Sequence, residues 1–252
     1  MTDALRPPNA EAPAAAPNSA AAPKWLRLYQ SPIGRKLLTG VTGLGLAAFV
    51  LIHMAGNLIL FTGSDAYNQY AKHIEDWGLL LYAAEAVLLG AVLLHAVLGI
   101  TIAVHRFRAR PIKYEQYASA GSPSLQSLSS RTMIITGSVL AAFLVWHLAT
   151  FKFGAYYAIE SGAGDPSSIP GRDIARLVFE KFHEPLYAFG YPAIMLLLGF
   201  HLRHGLWSAF QSLGAMSKAV RPAAYLLSTV LAALIAAGFI ALPLAIYFNL
   251  LS

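Results

Sequence analysis

Apolar and polar residues fall along this chain in long blocks, with neither the alternation of a half-buried strand nor the interrupted stripe of a surface helix. Five apolar runs, at about 37–61, 78–104, 132–152, 185–211 and 222–250, make up about half of its length. Each reaches the roughly 20 residues an α-helix needs to cross about 30 Å of hydrocarbon, a solvent in which only a helix or closed barrel satisfies its own backbone. Breakers separate the runs: Gly63-Ser64-Asp65 after the first, Pro111 after the second, and Gly162, Gly164, Pro166 and Pro170 between the third and fourth. Pro185 is placed to start the fourth helix. The pattern predicts an all-α integral membrane domain over 24–252, five transmembrane helices in a bundle. Residues 1–23 are rich in Ala and Pro, carry Asp3 and Glu11 and lack the apolar core of a secretory signal, which predicts a disordered cytoplasmic tail. No internal repeat strong enough to argue from is evident.

Composition narrows the class. With 57% hydrophobic and 12% charged residues, the chain is not a soluble globule. The absence of cysteine excludes disulfides and thiolate-held iron–sulfur clusters, so a redox role needs cofactors with other ligands. The net charge of +6 raises the question of nucleic acid. However, Lys24, Arg27, Arg35, Lys36, Arg106, Arg108, Arg110, Lys218 and Arg221 all stand at the ends of apolar runs, where membrane topology accounts for them, and no nucleic-acid partner is expected. On the other side of the membrane, Lys72, Lys152, Arg172, Arg176 and Lys181 are diluted by acidic residues such as Asp65, Glu75, Asp76, Asp173, Glu180 and Glu184. The positive-inside rule puts the N-terminus in the cytoplasm and the C-terminus outside.

Each of the first four runs carries a histidine well inside it: His53, His95, His147 and His201. At about 1.5 Å of rise per residue, His53 and His147 lie roughly 5 to 9 Å outward of their helix midpoints, and His95 and His201 roughly 5 to 7 Å toward the cytoplasm. Two layers of two is what a pair of bis-imidazole haems stacked across a bilayer requires. Neutral imidazole is a good iron ligand, and the apolar macrocycle fills space between helices. Gly40, Gly43, Gly45, Gly90, Gly99, Gly137, Gly199 and Gly205 are candidates for close approach of a flat ring, or for ordinary helix packing. The competing reading of the histidines is a hydrogen bond to a neighbouring helix. His204, one turn after His201, competes for the fourth position but lies nearer the cytoplasmic border. His73, His105 and His183 fall in loops or at the border, and no role is assigned to them.

Five segments carry a family likeness: Ser31-Pro32-Ile33-Gly34-Arg35-Lys36 before Thr42-Gly43-Leu44; His53-Met54-Ala55-Gly56-Asn57; His95-Ala96-Val97-Leu98-Gly99; Trp146-His147; and Phe200 to Ser208, which reads Phe-His-Leu-Arg-His-Gly-Leu-Trp-Ser. In this order the chain resembles the cytochrome b membrane subunit of succinate:quinone oxidoreductases, in the class with one five-helix anchor and two haems, over about 24 to 250. The resemblance implies two haem b groups, with His53 and His147 on the outer iron and His95 and His201 on the inner one, in agreement with the pairing by depth. It further implies that a flavoprotein and an iron–sulfur subunit handle succinate and fumarate on the cytoplasmic side. This chain, with no succinate site of its own, would anchor them in the inner (cytoplasmic) membrane. Electrons would pass through it to or from a quinone, with menaquinone the expected one.

Three further residues are candidates. Arg35 and Arg131, at cytoplasmic helix starts, are placed to meet inner-haem propionates, since fixed cations stabilise carboxylates at a dry boundary; topology alone also explains them. Glu85, a carboxylate well inside an apolar run, lies roughly 15 Å outward of His95 by helix rise. Such a group must be protonated, hydrogen-bonded or reached by water, and is a candidate for proton transfer to and from quinone or for a helix-to-helix hydrogen bond. The rival readings of the whole chain are a di-haem cytochrome b of another quinone-linked dehydrogenase or hydrogenase, and a haem-free membrane transporter.

Overall fold

The computed structural model describes residues 23–109, 132–159 and 171–251. Helix α1, Lys24–Gln30, leads into α2, Pro32–Leu58, through Ser31. The Ser31 hydroxyl accepts from the Gly34 N–H at 2.9 Å, and Pro32 opens the first turn, where its missing N–H costs nothing. A 3₁₀ turn, Ile59–Thr62, extends α2 and stops at Gly63, whose φ of 128° a side chain would resist. Helix α3, Ser64–Glu75, precedes α4, Leu79–Arg108. Helix α5, Met133–His147, runs into a π-helical turn, Leu148–Lys152. Strands β1, Ala158–Ile159, and β2, Gly171–Arg172, pair antiparallel, with Ala158 opposite Arg172. Asp173 then caps α6, Ile174–His183, by accepting from the Arg176 N–H at 3.0 Å. Helices α7, Pro185–Ser212, and α8, Arg221–Tyr247, complete the chain.

Among the described residues five helices are long and apolar enough to cross a membrane: Pro32–Thr62, Leu79–Arg108, Met133–Lys152, Pro185–Ser212 and Arg221–Tyr247. They coincide with the five apolar runs. The first begins five residues earlier than its run because Arg35 and Lys36 belong to the opening turns of the helix, which extends beyond the hydrocarbon length that hydropathy measures. Two segments expected as loops are helical: α3 and α6 are too short and too polar for a spanning signal, yet each buries one apolar face. His73 and His183 sit on these helices; His183 Nδ1 lies 2.7 Å from the Phe179 carbonyl oxygen, which is a local structural role. The expected disordered tail over 1–23 lies outside the described residues apart from Pro23.

Because α3 and α6 follow the first and third spans, both lie at the same end of the bundle, where they form a cap. Leu60, Tyr67, Ala175, Val178, Phe182, Tyr191, Leu242 and Ile246 are buried together there. A second cluster, with Ala47 of α2, Met195, Leu198, Leu202 and Leu206 of α7, and Ala232 and Ile235 of α8, joins three spans at mid-bundle. Small residues let α7 and α8 approach closely: a Cβ on Gly199 would stand 3.2 Å from that of Ala236. Helices α4 and α5 are held far less by interlocking side chains. Only Leu98 of α4 and Thr136 of α5 are fully buried.

The cap hangs on one polar side chain. Buried Asn68 donates to Asp173 Oδ1 at 2.8 Å and accepts from the Ala175 N–H at 2.9 Å, tying α3 to the start of α6. Replacing it strands a buried donor, a loss of about 1 to 3 kcal/mol. Asn68→Ala is therefore expected to lower the thermal unfolding midpoint in detergent while leaving the helical circular dichroism of the folded protein unchanged. An unchanged midpoint would show that the α3–α6 tie does not hold the cap.

Candidate functional site

The four intramembrane histidines meet in two pairs. His53 of α2 faces His147 of α5 with ring centres 5.8 Å apart and planes at 84°. His95 of α4 faces His201 of α7 with centres 6.4 Å apart and planes at 64°. The first pair lies toward the capped end and the second toward the opposite, basic end, as the depth count along the helices anticipates. His201, the residue expected over His204, is the one whose ring meets His95.

Each ring has a built seat. Thr42 Oγ1, on α2, lies 3.2 Å from His95 Nδ1, and Thr136 Oγ1, on α5, lies 3.0 Å from His201 Nδ1. The glycine that follows each threonine makes the room: a Cβ on Gly43 would come 3.0 Å from His95 Cε1, and one on Gly137 3.3 Å from His201 Cε1. In the other pair, Phe49 stacks on His53 with centres 5.5 Å apart, and Phe143 stacks on His147 at 5.8 Å. Each of these phenylalanines is four residues before its histidine, one helical turn away.

These contacts expose a repeat that the block pattern concealed. Residues 42–55 and 136–149 are identical at eight of 14 positions, Thr-Gly-x-x-Leu-Ala-Ala-Phe-x-x-x-His-x-Ala. Alanine and leucine matches are cheap in membrane helices. The threonine, glycine, phenylalanine and histidine matches are not, because each pair has the same structural role. The second helices correspond more faintly, as His95, Gly99 and Ala103 against His201, Gly205 and Ala209. Exchanging the α2–α4 half for the α5–α7 half maps the set of histidine, threonine, glycine and phenylalanine contacts onto itself. The expectation of no usable repeat is thus corrected, and the missed residues Thr42, Thr136, Phe49 and Phe143 were recoverable from this pattern.

The halves differ beside the outer pair. Asn57, a turn after His53, donates to the His53 carbonyl at 2.8 Å, stands 3.4 Å from its Nε2 and accepts from the Tyr67 hydroxyl at 3.0 Å. Its counterpart in the other half is Phe151, whose ring lies 5.4 Å from that of His147. His147 Nδ1 is buried with no hydrogen-bond partner among the described residues.

The residues fit a bis-imidazole prosthetic group. With metal–imidazole bonds of about 2.0 Å and roughly 1.1 Å from ring nitrogen to ring centre, two imidazoles facing across one metal have centres about 6.2 Å apart. The observed 5.8 and 6.4 Å bracket that value. Among the described residues no group of three or more His, Asp or Glu is placed to hold a metal ion. A Cβ on Gly45, Gly90, Gly99 or Gly205 would meet nothing within 4 Å, whereas Gly40 and Gly199 pack against other spans. The glycines expected to admit a flat ring thus divide into open positions, helix contacts and, at Gly43 and Gly137, seats for the histidines themselves.

Of the remaining candidates, Arg35 directs Nε and Nη2 to the Tyr29 and Gln30 carbonyls, at 3.2 and 2.8 Å, and so caps α1. Arg131 lies outside the described residues. Glu85 is ion-paired with Lys152, from the π-helical turn that starts immediately after His147. No protein family matches the chain, and neither a curated protein nor a solved structure does.

Burial, with Tyr70 nearby, pushes the Tyr67 phenol up to about 12. The folded protein therefore keeps this proton where an unfolded chain, near pH 10, begins to release it. The linked stability, about 2 to 3 kcal/mol, is whole below pH 10 and is lost as the pH rises from about 10 to about 12. Tyr67→Phe is expected to flatten the fall in unfolding midpoint measured between pH 9 and 11. An equally steep fall in the variant would place the alkaline transition elsewhere.

Proposed function

We propose that this chain is the membrane anchor and di-haem cytochrome b subunit of a succinate dehydrogenase or fumarate reductase complex, carrying electrons between a cytoplasmic iron–sulfur subunit and membrane quinone. The observation that carries the reading is the meeting of four intramembrane histidines as two pairs, at two depths, with ring separations suited to one iron between each pair. Polar side chains at that depth are costly and are kept for function. The ordered sequence motifs add the choice of this family over other di-haem cytochromes b. A transporter reading leaves the two equivalent seats without a purpose.

Haem, when bound, supplies a one-electron couple at each level. The protein's part would be to hold each group through two imidazoles, to keep the intervening space apolar and to space the two levels along the bundle. His53 and His147 would hold the group near the cap, and His95 and His201 the one near the basic end. The basic residues at that end support a cytoplasmic N-terminus, in the inner membrane of the cell, so that the level of His95 and His201 adjoins the partner subunits. At the other level Glu85, ion-paired with Lys152, is placed to exchange protons with quinone.

Two results are expected. Purified protein should show a b-type absorbance spectrum with two haems; His53→Ala or His147→Ala should remove one, and His95→Ala or His201→Ala the other, by haem content and redox titration. A colourless wild-type protein, or loss of haem in His204→Ala but not in His201→Ala, would refute the ligand assignment. Glu85→Gln, which keeps shape but cannot exchange the proton, is expected to retain both haems and slow quinone turnover by roughly 10²-fold or more. Wild-type turnover across pH would leave Glu85 with only its ion pair.

A further inference from the structure

The two threonine seats do more than fill space. A threonine hydroxyl has one proton to donate and lone pairs that accept. In Thr42 the nearest acceptor for that proton is its own helix: Oγ1 lies 2.8 Å from the Leu38 carbonyl and 3.2 Å from that of Thr39. In Thr136 the same oxygen lies 3.1 and 3.2 Å from the Thr132 and Met133 carbonyls. With the hydroxyl proton directed to these backbone carbonyls, each oxygen is left to accept from its histidine, and the donor of that contact is the Nδ1–H of His95 and of His201.

We infer that Thr42 and Thr136 are paired positioning residues that fix His95 and His201 in the Nδ1–H tautomer and strengthen the donation of their Nε2 to a bound metal. The inference rests on the haem reading above. A neutral imidazole with its proton on Nδ1 has a bare Nε2, the form a metal requires. The hydrogen bond from Nδ1–H to an oxygen holds the ring's angle and raises the electron density it donates, which favours the oxidised metal. Among the described residues the outer pair has no such acceptor: His147 Nδ1 is without a partner, the Asn57 amide nitrogen near His53 Nε2 is a donor, and both rings lie against stacked phenylalanines. Stacking fixes a plane but leaves donation at Nε2 unchanged. Two hydroxyls, one in each half of the repeat, thus act on the inner pair alone.

The test uses the intact purified complex, with the two haems assigned by the single-histidine variants. Thr42→Val and Thr136→Val keep the side-chain shape and remove the acceptor; Thr42→Ser and Thr136→Ser keep it. The expected result is a rise in the midpoint potential of the inner haem alone in each Val variant, of roughly tenfold in the reduction equilibrium or about 59 mV for one electron, with the Ser variants near wild type. Selective loss of the inner haem in the Val but not the Ser variants supports the inference equally, since only the hydroxyl separates them. Unchanged potentials in the Val variants, an equal effect in Val and Ser, or a shift confined to the outer haem would overturn it. A wild-type complex without haem would be seen first in its spectrum and would defeat the proposed function itself, whereas two normal haems insensitive to Thr→Val would defeat only the threonine role.

Discussion

An imidazole placed within the hydrocarbon must have a partner, and four of them must be supplied at once; the architecture of this bundle follows from that constraint. Leucine and alanine faces are indifferent to which helix they meet in a lipid solvent, so apolar burial alone fixes little about the arrangement of the spans. The histidines are not indifferent. Their ring nitrogens, costly to strand, select which helices face one another: α2 meets α4 through Thr42 and His95, α5 meets α7 through Thr136 and His201, and the two halves meet through the imidazole pairs. Helices α4 and α5, which bury almost nothing else, are placed by these contacts.

The close packing of α7 against α8 has a different character. Gly199 against Ala236 and the buried run from Met195 to Leu206 form an ordinary membrane interface of small and aliphatic residues. Arg203 adds a polar clasp on the same seam through Tyr225 and Thr229, which satisfies a guanidinium that sits only two residues from a histidine seat. Helix α8 therefore acts as a brace on the second half. Among the described residues no helix packs as closely behind the first half, and this asymmetry, with Asn57 standing where the other half has Phe151, distinguishes two otherwise matching parts.

The five spans and the four histidines were legible in the sequence because both obey one-dimensional rules: hydrocarbon thickness sets run length, and helix rise converts position to depth. The cap was not. Helices α3 and α6 owe their order to Asn68, Asp173 and buried Tyr67, contacts between segments more than a hundred residues apart that leave no periodic trace strong enough to read locally. Glu85 was recognised as a group needing a partner, but Lys152 could not be named from sequence, because the two stand 67 residues apart on different spans. The threonines were legible only in part: Thr42 stands in one of the family-like segments and both recur in the repeat, but only the neighbouring ring gives their hydroxyls a meaning.

The repeat bears on how such a bundle can come into being. Half of it, a hairpin carrying one histidine at each depth, can complete neither pair. Two identical hairpins inserted in the same direction complete both, because each pair joins equivalent positions, and a self-complementary contact of this kind forms between copies without any new surface. A chain of half this length, present twice, thus suffices to bring four imidazoles into two pairs. The asparagine beside one outer histidine and the helix packed behind the other half are departures from an arrangement that two equal halves already complete.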